Sequence, residues 1–183
     1  MSNIIVITAP SAAGKTTLIK KYMDNHNNAS FSVSYTTRDK RVGEIDGRDY
    51  YFVDKEKFEQ MISDGEFIEW ALVHDNYYGT SFKELEKADD ENKILILDID
   101  IQGALYIKNN GIDANYIFIS PPSMEILKKR LEDRGTETEE SIKLRLWNAK
   151  RELEYKDQFD TIIENDDIEE AYKKLEEAVN LKL

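Results

Sequence analysis

The sequence predicts an α/β fold in which a mostly parallel sheet is flanked by helices. Three observations carry this. Short β-branched runs, Asn3–Thr8, Lys93–Asp100 and Asn115–Ser120, alternate with longer stretches of helical spacing, the pattern of strand–helix–strand crossovers. The runs are apolar almost throughout rather than alternating, as strands covered on both faces are. No internal repeat, low-complexity tract or linker interrupts the series.

The elements follow in order. Asn3–Thr8 reads as a buried strand. Leu18, Ile19, Tyr22 and Met23 then recur at helical spacing, with Asn27 and Asn28 as a stop. Phe31–Ser34 is a second candidate strand. The polar stretch Tyr35–Asp49, with Gly43 and Gly47, reads as irregular backbone or a short hairpin. Asp54 is placed to cap a helix carrying Phe58, Met61 and Ile62, which Gly65 stops. Phe67–Val73 reads as a strand, residues 74–79 as a turn, and Ser81 as the cap of a short helix. After the strand Lys93–Asp100, a helix through Leu105 and Ile107 ends near Gly111. Pro121 and Pro122 stop the strand Asn115–Ser120, and a helix with Leu127, Arg130 and Leu131 begins near Ser123. Thr138 with Ser141, or Thr136 with Glu139, can cap a long amphipathic helix. Phe159–Asn165 holds a last short strand and Asp167–Leu181 a last helix. Trp70 and Trp147 read as packing residues, His26 and His74 as surface residues.

The 183 residues fit one domain with room for a real core. Cysteine is absent, which excludes disulfides and thiolate metal sites. Twenty-five basic against 37 acidic side chains leave a net charge of −12. That argues against a nucleic-acid partner, so a phosphate site must concentrate its arginines locally. No apolar run approaches a membrane span, and Met1–Ala9 lacks the basic start of a signal peptide. A cytoplasmic protein without a membrane partner is expected.

Between the first strand and first helix lies Ala9-Pro10-Ser11-Ala12-Ala13-Gly14-Lys15-Thr16. It matches the phosphate-binding pattern G-x-x-x-x-G-K-[ST] except that Ala9 stands for the first Gly. The strand–loop–helix context is what the motif needs, so a P-loop NTPase fold is expected. Backbone N–H groups of the loop and helix N-terminus hold phosphates, and alanine supplies an N–H as glycine does, harmlessly where φ stays negative. Ser11, Ala12, Ala13, Gly14, Lys15, Thr16 and Thr17 are the ATP-binding candidates. Lys15 would meet the β- and γ-phosphates and Thr16 would hold Mg²⁺. The alternative is an ordinary strand–turn–helix corner.

Arg38 and Arg41 sit three apart, with Ser34, Tyr50 and Tyr78 available as hydroxyl donors. Two guanidiniums can share the dianion of a phosphate monoester. Tyr35, Tyr51 and Tyr77 read instead as residues of a solvated charged loop with their rings partly in the core. The spacing S-x-x-T-R-x-x-R-x-G-E-x-x-G-x-D-Y-x-F from Ser34 to Phe52 resembles guanylate kinase. "GEFIEWA", "NYYGTS", "ILDIDIQG", "LKKRLEDRGTETEESIKLRL" and "ENDD" resemble the same family in the same order, from Ile4 to about Val179. The chain departs from the family's usual glycine at Ala9 and Ala12.

The resemblance implies transfer of the γ-phosphoryl group of MgATP to GMP, giving ADP and GDP. It implies a parallel-sheet core with an inserted monophosphate-binding region at about 34–82 and a helical lid at about 123–157. Ser34, Arg38, Arg41, Tyr50 and Tyr78 would bind the GMP phosphate. Glu69 and Thr80 would read guanine, with Asp100 nearby. Arg130, Arg134 and Arg145 would reach the transferring phosphates beside Lys15, and Asn165 would lie near the ATP base. Arg130 and Arg134 share a face if their helix persists. Asp98, at the end of a buried strand, would act on Mg²⁺ through water; the other reading of Asp98 is a helix cap. Lys143 and Arg151 read as solvated partners of glutamates. A monomer is expected, with a homodimer as the alternative. Two other classes are alternatives: a catalytically silent protein-binding module of the same fold, whose ATP loop would be eroded where Lys15, Thr16 and the arginines stand here, and a regulatory GTPase, the other P-loop class, whose N-K-x-D motif is missing. Among enzymes, a kinase for a different monophosphate is the runner-up.

Overall fold

A computed structural model describes residues 3–73, 75–133, 135 and 138–180. Its larger sheet is five-stranded and parallel. Strands β1 (Ile4–Thr8), β2 (Ala29–Phe31), β7 (Ile94–Asp98), β8 (Asn115–Ser120) and β9 (Thr161–Glu164) run in the order β2-β7-β1-β8-β9. β1 lies between two partners, with Ile5 opposite Ile96 on one side and Asn115 on the other. That central place is why its five residues are all buried.

The pleat divides these side chains between two cores. Ile5 and Ile7 pack with Leu18 and Tyr22 of α1 (Lys15–Asn25) and with Leu175 and Val179 of α7 (Ile168–Asn180). Ile4 and Val6 pack on the other face with Ala88 of α3 (Phe82–Asp90), Ile107 of α4 (Ile101–Asn109) and Phe118. Each fully buried aliphatic side chain contributes roughly 1.5–3 kcal/mol. The sandwich therefore holds the C-terminal edge of the sheet, where β1 and β7 open into loops, as a firm platform.

The second sheet is smaller and mixed. β3 (Tyr35–Thr36), β4 (Tyr51–Phe52), β5 (Phe67–Val73) and β6 (Asn76–Ser81) have the order β4-β3-β6-β5. α2 (Lys55–Ser63), capped by the Asp54 carboxylate on the Lys57 N–H at 2.7 Å, covers it with Phe58 and Met61. Tyr35 and Tyr77, both partly buried, pack against that cluster, and Tyr51 stacks on Tyr35 at 4.7 Å, as expected of tyrosines partly in the core. Two strand expectations are corrected. The second strand of the large sheet is Ala29–Phe31 rather than Phe31–Ser34, because the chain must leave at Ser32 to reach β3. Residues 76–79 are strand, not turn: Asn76–Ser81 pairs antiparallel with β5 in a tight hairpin, and Asp75 takes the left-handed conformation at its tip.

α5 (Met124–Asp133) and α6 (Glu139–Leu153) pack on one another. Thr138 caps α6 by accepting the Ser141 N–H at 3.2 Å; the competing Thr136 pairing lies outside the described residues. Trp70 and Trp147 are not buried: they are 43% and 56% exposed, Trp70 meeting Tyr77 edge to face at 5.8 Å and Trp147 carrying the Arg151 guanidinium on its face. Lys143 pairs with Glu139 at 2.8 Å as expected. His26 is not free at the surface. It stacks on Tyr22 at 4.0 Å and brings Nε2 to 3.4 Å from Glu176, tying α1 to α7. His74 lies outside the described residues. No described helix is long and apolar enough to cross a membrane.

Candidate active site

The loop from Ala9 to Gly14 leaves the central strand and turns into α1. Gly14 needs to be glycine twice over: its φ is +96°, and a Cβ there would come within 2.2 Å of Asn165 Nδ2. Ala9 keeps a negative φ, as required of an alanine in place of the first glycine. Ala12 does not; at φ +67° it sits in the left-handed region, which costs about 1–2 kcal/mol for a residue with a Cβ. The strain of substituting glycines in this loop therefore falls on the second departure, not the first.

Outside the loop, neighbours hold its shape. The Ala13 carbonyl accepts Asn165 Nδ2 at 2.8 Å and Arg130 Nη1 at 3.3 Å. Arg130 also donates to the Asn165 carbonyl at 2.8 Å, and Arg145 of α6 donates to Ser11 Oγ at 2.6 Å. With this carbonyl directed away, the free N–H groups of α1's first turn and its positive dipole end make an anion cradle. Thr16 and Thr17 are exposed on that turn. Lys15 Nζ lies 2.5 Å from Asp98 Oδ1 and donates to the Ile99 carbonyl at 3.0 Å. The structure thus brings Lys15, Arg130 and Arg145 to the loop from three different helices. Arg134 lies outside the described residues, past the end of α5.

A cavity of about 230 Å³ opens beside the loop. Ser34, Tyr50, Glu69, Tyr78, Asp98 and Asp100 line it. Glu69, at the bulge of β5, is only 6% exposed. Burial pushes its carboxyl up to about 7; the Thr80 hydroxyl, donating to Oε1 at 2.8 Å, works against that, and the nearby Asp100 charge adds to it. Thr80 in turn meets Ser34 Oγ at 3.4 Å. Asp100 caps α4, accepting the Gly103 N–H at 2.7 Å. The helix-cap reading weighed for Asp98 therefore belongs to Asp100, two residues on.

Arg38 lies beside Tyr50 and Tyr78 of the cavity's lining. Glu44 takes its guanidinium through two bonds of 2.8 and 3.1 Å. The rings of Tyr50 and Phe52 face the guanidinium carbon at 5.4 and 5.7 Å. The Glu44 bond, with a smaller contribution from Tyr78, raises the Arg38 pKa further, so this arginine is permanently charged. Tyr50 and Tyr78 meet edge to face at 6.1 Å. Arg41 is exposed and does not line the cavity; its backbone N–H goes to Glu44 at 2.7 Å.

Two residues of this neighbourhood escape a reading by residue type. Glu44 binds the Arg38 guanidinium and the Arg41 N–H, yet it is one of four carboxylates among four basic residues between Tyr35 and Asp49, and its type does not single it out. Glu84 is buried on α3, accepting the Val33 N–H at 2.9 Å and facing the Tyr51 hydroxyl at 3.4 Å. It sits where the chain passes between the two sheets, and nothing in its surroundings in the sequence marks it.

Known proteins resemble this chain over most of its length. The family model described as guanylate kinase matches residues 1–182. A guanylate kinase from Schizosaccharomyces pombe is 48% identical over 176 residues, spanning 94% of this chain and 87% of the other. One from Clostridium perfringens is 48% identical over 173 residues, spanning 94% and 80%. The crystal structure of guanylate kinase from Anaplasma phagocytophilum superimposes with a TM-score of 0.75 at 36% identity, covering 99% of this chain and 86% of that one. The likeness extends over nearly the whole length of the sequence, and the chain belongs to the guanylate kinase family.

Proposed function

We propose that this chain performs its guanylate kinase reaction, phosphorylation of GMP to GDP, with MgATP on the Ala9–Thr17 loop and GMP in the Glu69 cavity. One observation carries the reading. A single cavity extends from Glu69 to Asp98, and Asp98 holds the loop lysine. A base bound at the first would direct its phosphate toward the second.

Guanine offers a ring N–H and an amino group side by side, and an ionised carboxylate accepts from both. Adenine lacks that edge. In this reading Glu69 is the base reader, oriented by Thr80, with Asp100 beside it. Ser34, Arg38, Arg41, Tyr50 and Tyr78 take the GMP phosphate, which enters Arg38's coordination alongside Glu44. An oxygen of that phosphate attacks the γ-phosphorus of ATP, a new P–O bond forms, and the bond to the bridging oxygen of ADP breaks. No protein nucleophile is needed. Lys15, Arg130, Arg134 and Arg145 neutralise the charge that the transfer concentrates. To do so Lys15 exchanges Asp98 for phosphate oxygens. Thr16 and Asp98 are hard oxygen donors at the mouth of the loop and would hold Mg²⁺, Asp98 through water. Bound there, the ion supplies charge neutralisation and orients the phosphates. Asn165 contributes by fixing the loop and the edge of the ATP base site.

Water must be kept out, or it would take the phosphoryl group. The monophosphate region at about 34–82 and a lid at about 123–157 are proposed to close over the core when both substrates bind. MgATP with GMP, or a bisubstrate analogue, is therefore expected to lower the radius of gyration. Small-angle scattering that shows no decrease at saturation would count against closure. For the reaction itself, a coupled assay of ADP formation compares GMP, AMP, UMP and dTMP as acceptors. GMP should exceed the others by orders of magnitude, and comparable rates with another base would overturn the assignment of the cavity.

A further inference from the structure

We infer that Gly103 aims the base-reading carboxylate, so that a residue without a side chain is a specificity determinant of the acceptor site. The inference rests on the reading of Glu69 as the guanine acceptor.

Gly103 is buried on α4, and its φ is not in the positive range. A helical backbone has no need of glycine, and helix propensity favours alanine there. Conformation does not explain the residue; space does. A Cβ at this position would lie 3.0 Å from Glu69 Oε2, 3.5 Å from its carboxyl carbon and 3.3 Å from Asp100 Oδ1. The first contact is tighter than ordinary van der Waals separation, so the carboxyl must give by a few tenths of an ångström. The Thr80 hydroxyl holds the other carboxylate oxygen at 2.8 Å. Burial closes most other directions, and the cavity is the open side. A methyl group would therefore press the carboxyl toward the space a guanine edge would fill. It would displace the acceptor and narrow its site together. Meanwhile the Gly103 N–H donates to Asp100 Oδ1 at 2.7 Å. One residue thus positions both carboxylates, Asp100 through its backbone and Glu69 through its missing side chain.

The test is steady-state kinetics of Gly103→Ala with GMP and AMP as competing acceptors. The KM for GMP is expected to rise about tenfold, while the KM for ATP and kcat at saturating GMP stay within about twofold. The GMP/AMP preference falls with it. Equal rises in both KM values, or an unchanged KM for GMP, would overturn the inference. Glu69→Gln run in the same assay separates the two levels. If it leaves the GMP/AMP ratio unchanged, the reading of the cavity fails; if it lowers the ratio and Gly103→Ala does not, only the role of Gly103 fails. Thermal melts guard against a folding artefact. Gly103→Ala is expected to lower the melting temperature more in the wild-type background than on Glu69→Ala, where only the contact with Asp100 remains. Equal falls on both backgrounds would make Gly103 a packing residue and overturn its role in selection.

Discussion

Lys15→Met is expected to lower kcat/KM by ~10² or more, because it removes a positive charge aimed at the transferring phosphates while keeping the length of the side chain. The ammonium is held at the end of β7 by the Asp98 carboxylate at 2.5 Å and the Ile99 carbonyl at 3.0 Å. It is thus held at the sheet edge before ATP arrives, and it exchanges the Asp98 contact for phosphate oxygens on binding. The variant should lose more in kcat than it gains in KM for ATP, since the backbone N–H groups still hold the phosphates. Ala9→Gly is the companion variant. Ala9 has no positive φ to relieve, so kcat/KM should stay within about threefold. If the two variants behaved alike in steady-state kinetics, the loop would not be the phosphate cradle.

Glu69→Gln is expected to make a more stable and much poorer enzyme. For catalysis, the amide puts a donor against a donor of the guanine edge. Leaving a buried polar group unpaired should cost roughly 2–4 kcal/mol in kcat/KM for GMP. AMP should gain relative to GMP from a very low base. For stability the sign reverses. Burial raises the Glu69 pKa from 4.5 to about 7, so the folded state binds this proton more tightly than the unfolded chain does. The contribution to stability is fully present below the unfolded value and is lost as pH rises through about 7, where the carboxyl must ionise in place. The neutral amide avoids that loss, on the order of 3 kcal/mol at alkaline pH. The same titration reaches the kinetics, because the guanine reader must be ionised. The KM for GMP should therefore fall between about pH 6 and about pH 8 in the wild type, beyond what the second pKa of the GMP phosphate, near 6, produces. Glu69→Gln should retain only the phosphate's share. Identical pH profiles for the two proteins, with an unchanged GMP/AMP ratio, would remove Glu69 from base selection.

What can be read from the sequence follows physical lines. β1, β7 and β8 are legible because strands covered on both faces are apolar at nearly every position. The phosphate loop is legible because its geometry is local, with each residue acting within a few positions of its neighbours. β6 is not. "NYYGTS" has the composition of a turn, yet Gly79 is there because a Cβ would meet the Glu69 carbonyl at 2.9 Å across the hairpin. Two-residue strands such as β3 and β4 are too short to show any period. In the site, residues that act by charge or hydroxyl can be found by type and spacing. Asp98 and Asp100 are harder to separate: both follow one strand, and which of them caps a helix depends on α4 starting at Ile101. Glu44 and Glu84 act through contacts made across loops and sheets, and Gly103 through the absence of atoms. No periodicity encodes such roles.

The register of the large sheet also bears on how the chain reaches its folded form. Ile4 pairs with Leu95 and Ile5 with Asn115, so the partners of β1 lie roughly 90 to 110 residues downstream, a costly closure to make early. β5 and β6, by contrast, meet through a hairpin from Val73 to Asn76, and β3 joins them from residue 35 onward. Local pairing should therefore assemble the base-reading hairpin first. The phosphate loop, although translated long before it, has no strand to stand on until β7 and β8 flank β1. During synthesis, a ribosome-bound chain halted before residue 115 would carry a formed acceptor hairpin and no nucleotriphosphate cradle. Pulse-labelled hydrogen exchange during refolding reads this order directly. Amides of β5 and β6 should become protected ahead of those of β1, and simultaneous protection would mean that the two sheets condense as one unit.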